Sequence, residues 1–120
     1  MIRAFLLALC LGMAQTALAQ NWSTQDKSLF VTSSALLVVD WAQTRHIARN
    51  PQLFYEKNPI LGEHPSLGRV NTYFATVLVA NYFITDALSP KWRTAYQAGL
   101  IGVELVVIGN NKRIGIKMDF

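Results

Sequence analysis

Residues 28–44 read SLFVTSSALLVVDWAQT, and the conformation of this run decides the fold. Apolar side chains dominate it, with Ser33, Asp40 and Thr44 spaced at i, i+7 and i+11. A strand would scatter those three polar residues over both faces, whereas a helix collects them on one, with Gln43 beside them. The run therefore reads as the centre of a helix over about residues 28–48, closed by Pro51. Upstream, residues 21–27 are polar and offer Ser23 or Thr24 as a cap. Downstream, residues 50–69 are rich in Pro, Gly, His and Asn and read as a loop. A second helix is expected over about 70–88. Ser89-Pro90 then breaks the chain, with Pro90 suited to the first position of a third helix over about 91–108. The tail, residues 114–120, alternates apolar and polar and suits a short strand or a path along the surface. The expected architecture is all-α, a small three-helix bundle forming one domain over residues 20–120.

Surroundings are read from composition and the first residues. Of 120 residues, 52% are apolar and 15% charged, well below the roughly 25% charged usual in soluble domains, which points towards lipid. Met1-Ile2-Arg3, an apolar run over 4–14 and Ala17-Leu18-Ala19 have the layout of an export signal, expected over residues 1–19. Cys10 is the single cysteine and falls inside that segment, so the remaining chain would have no disulfide, thiol nucleophile or Cys-ligated metal. An exported N-terminus places Lys27, Lys91 and Arg93 outside. It leaves Arg45, Arg49, Lys57, Arg69, Lys112, Arg113 and Lys117 inside, the bias expected of an inner-membrane protein with a periplasmic N-terminus and a cytoplasmic C-terminus. Trp22, Trp41, Tyr55, Tyr73, Trp92 and Tyr96 near the helix ends suit interface belts. The reading is thus a membrane-embedded bundle in a bacterial envelope. Each helix has fewer apolar residues than the usual span of about 20 and contains an acid, so a soluble periplasmic three-helix bundle is the alternative. The net charge of +4 is spread along the chain, so no basic stripe marks a nucleic-acid site, and lipid headgroups are the expected acidic partners.

Polar residues inside apolar helices are the candidates for function. An ionisable group in hydrocarbon costs about 2.5–3.5 kcal/mol, so Asp40 and Glu104 are expected to face the bundle interior. Gln97, Glu104 and Asn111 recur every seven residues on one face of the third helix, and Asn81 and Thr85 form an i, i+4 pair in the second. Two neighbouring carboxylates could hold a proton or cation; interhelical hydrogen bonding explains the same residues structurally. Ala95, Ala98, Gly102 and Gly109 form a small-residue stripe that would allow close helix packing. In the loop, His46, Glu56 and His64 fit no metal-ligand spacing, so no metal or other cofactor is expected. Asn58-Pro59 and Leu61-Gly62 read as turns, with Arg45, Arg49 and Lys57 free to meet acidic headgroups. No nucleophile elbow, P-loop or dinucleotide fingerprint occurs.

Asp40-Trp41-Ala42-Gln43-Thr44 followed by Glu56-Lys57-Asn58-Pro59-Ile60-Leu61-Gly62 resembles a family of small uncharacterised membrane proteins of bacteria and their phages. Those read D-x-x-x-T, then a loop with E-x-N-P, then two further helices. Ser89-Pro90-Lys91-Trp92-Arg93, Glu104 and Asn110-Asn111 are similar to that pattern too, so the likeness covers most of residues 22–116. The resemblance implies a membrane location and singles out Asp40, Glu56, Asn58 and Glu104, without implying a reaction. Together with Thr44 and Asn111 these are the candidate functional residues. The expected role is that of a non-enzymatic inner-membrane accessory protein acting through lipid, another envelope protein or self-association. The alternatives are a holin-like pore and a small membrane enzyme or ion-coupled carrier using Asp40 and Glu104.

Overall fold

The computed structural model describes residues 21–120, so the expected export signal over residues 1–19 lies outside the described residues. Three helices are described: α1 over Thr24–Arg49, α2 over Leu67–Ala87 and α3 over Pro90–Arg113. No strand occurs among the described residues. α1 starts four residues earlier than its apolar run suggests, because Ser23 and Asp26 form a reciprocal capping box. Ser66 caps α2 by accepting from Arg69 N–H, and Pro90 occupies the first turn of α3. α3 runs five residues beyond the expected end at 108, through Asn110, Asn111 and Lys112, and its last turn is basic. The tail forms no strand. It lies along α1, with Asp119 N–H donating to Ala42 C=O at 2.9 Å and Ile116 buried.

α1 is the central element. On one side Phe30, Leu37 and Trp41 meet Val70, Phe74, Leu78 and Tyr82, which recur every fourth residue along α2. Trp22 closes this core, stacking on Tyr82 at 5.7 Å and meeting Phe30 edge-on at 5.2 Å, while Trp41 stacks on Phe74 at 6.1 Å. Trp22 and Trp41 are therefore core side chains, 5% and 1% exposed, not the interface anchors expected from sequence. Trp22 Nε1 also donates to Asp86, and Trp41 Nε1 to Asn71.

α3 packs differently. Its only buried residues are Gln97 and Glu104, while Val103, Leu105 and Val106 are more than half exposed. What joins it to the other helices is polar. Asn81 Nδ2 donates to Ser33 Oγ at 3.0 Å, and Gln97 Nε2 donates to Asn81 Oδ1 at 3.0 Å and Thr85 Oγ1 at 2.8 Å. The inward polar stripes expected of all three helices thus meet. The small-residue stripe does not. Ala95, Ala98, Gly102 and Gly109 face outward, and a Cβ added at Gly102 or Gly109 would touch nothing within 4 Å.

The expected three membrane spans find no support. Among the described residues no helix is long and apolar enough to cross a membrane. The cause is the polar residues that each helix turns inward, which dilute every apolar run.

Candidate functional site

α2 and α3 meet near the turn that joins them, where Arg93 Nε donates to Thr85 C=O and Gln97 reaches Asn81. Towards their other ends a cleft of about 470 Å³ opens, floored by α1 and closed at one side by the 50–66 loop. Asp40, Thr44, Glu56, Asn58, Glu104 and Asn111 all line it. Residues chosen from three separate segments of sequence are thus brought together in one place.

The loop wall is built by the E-x-N-P-x-L-G segment itself. Glu56 Oε1 accepts from the Lys57 and Asn58 N–H groups, both at 2.9 Å. Asn58 Oδ1 accepts from Ile60 N–H, and Asn58 C=O accepts from Leu61 and Gly62 N–H. Gly62 has φ 81°, a left-handed conformation that explains glycine at this turn. Asn58 Nδ2 then donates to Tyr73 Oη at 2.9 Å, fastening the loop to α2. Arg69 secures it from the other side by donating to Ile60 C=O. Glu56 and Asn58 are therefore structural members of the turn as well as lining residues.

Asp40 on the α1 floor meets Glu104 from α3. Asp40 and Glu104 are mutual hydrogen-bond partners, and Thr44 Oγ1 donates to Asp40 Oδ1 at 3.3 Å. Burial pushes the Glu104 carboxyl up to about 8, helped by the charge of Asp40 and by its hydrogen bond to it. Burial also raises Asp40, to about 6; the hydrogen bonds from Glu104 and Thr44 oppose the rise, and the Glu56 charge adds to it. Glu104 Oε2 is buried and receives no N–H or O–H from the rest of the chain. Two carboxyl groups can meet only if one holds a proton, so the pair shares one across neutral pH, with Glu104 as donor and Asp40 as acceptor. Asn111 stands at the far end of the cleft, donating to Gln43 Oε1, while Gln43 Nε2 donates to Ile108 C=O. Those bonds tie α3 to α1 and make Asn111 a support rather than a free donor.

Several expectations are corrected here. Arg45 is 4% exposed and turned inward, donating to Asn71 Oδ1 at 2.8 Å and Asp119 C=O at 3.0 Å, so it is not free to meet a headgroup. Arg49 pairs with Asp119. His46 lies against the Phe54 ring. Sequence reasoning missed Tyr55, Lys57, Tyr73 and Asn110 as lining residues. Only the folding back of the loop onto α2 brings Tyr55 and Tyr73 to the cleft, and no local pattern signals that.

Compared with known proteins, the chain matches no family model and has no significant match among curated proteins or solved structures. The likeness of the D-x-x-x-T and E-x-N-P segments is therefore carried by those residues alone.

Proposed function

We propose that this chain is a non-enzymatic accessory protein of the bacterial inner membrane, held against lipid by the outward faces of α2 and α3. The observation that carries the reading is the inverted polarity of α3. Its buried positions are Gln97 and Glu104, while Val103, Leu105 and Val106 point out at 59%, 55% and 71% exposure. In α2, Phe83 at 63% and Ile84 at 43% extend the same character. An apolar exterior over a hydrogen-bonded polar interior is the arrangement that an apolar solvent favours. Lys112, Arg113, Arg69 and Lys57, all exposed, lie towards one end of the bundle and suit anionic headgroups. Immersion in the acyl boundary through these faces requires no helix to cross the bilayer. Lipid is thus the primary partner, with a second envelope protein or another copy of the chain as further partners on the same faces.

Vesicle flotation tests the reading. The purified chain should float with phosphatidylglycerol-containing vesicles, and Val103→Glu with Val106→Glu should leave most of it at the bottom of the gradient. Both positions are open, so the double variant should keep the wild-type unfolding free energy within about 0.5 kcal/mol. A chain that never floats overturns the proposal.

The second reading, an ion-coupled carrier or enzyme, is favoured by the Asp40–Glu104 pair lining a cleft. It requires Asp40→Asn and Glu104→Gln to abolish an activity at unchanged protein level. A holin-like pore draws no support from the described helices, none of which is long and apolar enough to cross a membrane.

A further inference from the structure

The cleft combines acidic and apolar lining. Asp40, Glu56 and Glu104 supply carboxyl groups, and Lys57 is the only basic residue in the lining. Val103 and Val107 line it beside Glu104 on α3, together with Val106, Ile114 and Ile116, and the more than half-exposed Val103 and Val106 form its open rim. The tyrosines Tyr55 and Tyr73 also line it. A cation attached to an apolar body suits this lining, whereas an anion would face three acids against one lysine. The volume suits a small organic molecule. A bare divalent metal fits poorly, because hard cations need six or more oxygens and no group of three or more acids and histidines converges among the described residues.

The second observation concerns Glu104. The residue is 7% exposed and lines the cleft, yet its Oε2 receives no donor from the rest of the chain. Once the shared proton leaves, that oxygen is a buried carboxylate oxygen with no donor from the chain, which is costly. A primary ammonium group brings three donors and a full positive charge.

We propose that this cleft binds a primary ammonium group carried on a short apolar body, the ammonium seated between Asp40 and Glu104 in place of the proton they share. On binding, the Glu104 proton leaves to solvent, both carboxylates become ionised, and the ammonium N–H groups donate to them. Tyr55 and Tyr73 flank the charge, Glu56 adds to the negative field, and Lys57 at the exposed edge disfavours a second cation. The ammonium can come from a free alkylamine or from the ethanolamine headgroup of a lipid. Binding of a free amine does not depend on lipid attachment, so it stands or falls separately from the accessory-protein reading.

Calorimetric titration of the purified full chain with n-hexylammonium, n-hexanol and n-hexanoate tests this directly. Hexylammonium should bind saturably and at least about tenfold more tightly than hexanol, and hexanoate should not bind. Repeating the titration near pH 7 in buffers of different ionisation enthalpy should show release approaching one proton per ammonium bound, fading near pH 9. Glu104→Gln should weaken hexylammonium about tenfold and remove the proton release while leaving hexanol unchanged. Glu56→Gln, outside the shared pair, should weaken it about threefold. Equal binding of hexanol, preference for hexanoate, or binding without proton release in the wild-type chain would each overturn the proposal, and none of these needs a variant to fold. Competition by phosphatidylethanolamine vesicles against hexylammonium identifies the lipid headgroup as the source; saturable hexylammonium binding unaffected by them identifies a free amine.

Discussion

Asp40 and Glu104 make the folded chain hold protons that the unfolded chain releases. Their carboxyls titrate near 6 and 8 in the fold, against ordinary values of 3.8 and 4.5. Because both are raised, their contribution is most favourable below the ordinary carboxyl range. It declines as pH climbs from about 4 towards 8 and then levels off. Thermal unfolding followed across that range should therefore show a falling midpoint above pH 5. Glu104→Gln should flatten the decline and unfold later than wild type at pH 9, by about 1–3 kcal/mol. A wild-type midpoint that is flat from pH 5 to 9 would mean that the pair is not buried together. Asn71 is the other decisive residue. Its Oδ1 accepts from both Trp41 Nε1 at 2.9 Å and Arg45 Nη1 at 2.8 Å. Asn71→Ala removes two bonds at once and leaves a buried indole N–H and guanidinium short of an acceptor. The expected loss is about 2–4 kcal/mol by denaturant unfolding, and less than 1 kcal/mol would show that water replaces the amide.

Among the elements, α3 departs furthest from a globular helix. α1 and α2 share an aromatic and aliphatic core, whereas α3 is fastened through Gln97, Asn111 and Arg93. Arg93 does most at the helix junction. It donates to the Thr85 and Asp86 carbonyls at the end of α2 and pairs with Asp26 in the first turn of α1 at 3.4 Å. The exposed glycines of α3 carry a separate consequence. Gly102 lies mid-helix with open space where a Cβ would stand. Gly102→Ala should raise stability by about 0.5–1 kcal/mol, seen as a midpoint a few degrees higher. If a second copy packs closely on this stripe, the same change would instead weaken self-association in sedimentation at unchanged monomer stability.

Across the described residues, charge other than the Asp40–Glu104 pair gathers at two ends. No charged residue occurs over residues 28–39, 70–85, 94–103 or 105–111. Trp22 with Asp86 and Arg93 with Asp26 gather one set of termini, and Arg45 and Arg49 with Asp119 gather the other. Between them lies a belt whose outward residues include Val31, Val79, Phe83, Val103 and Val106. Flotation of the wild-type chain, and its loss in the Val103→Glu, Val106→Glu variant, belongs to this scale, because the belt exists only when the three helices stand side by side. Added salt should weaken vesicle binding only in part, since the headgroup contribution is screened and the apolar contribution is not.

Much was legible from periodicity. The helical pattern of residues 28–44, the breaks at Pro51 and Ser89-Pro90, and the seven-residue recurrence of Gln97, Glu104 and Asn111 determined three helices with polar faces turned inward. Those signals are local, and backbone geometry alone sets them. The tertiary structure decided the partners. It made Trp22 and Trp41 core residues, turned Arg45 inward to Asn71, left the small-residue stripe open, and bent the Glu56–Gly62 turn over the acids so that Tyr55 and Tyr73 reached the cleft. Helical spacing tells which residues share a face; only packing tells what that face meets. The shared proton of Asp40 and Glu104 is of that second kind, since it depends on two residues far apart in the chain becoming close and dry together.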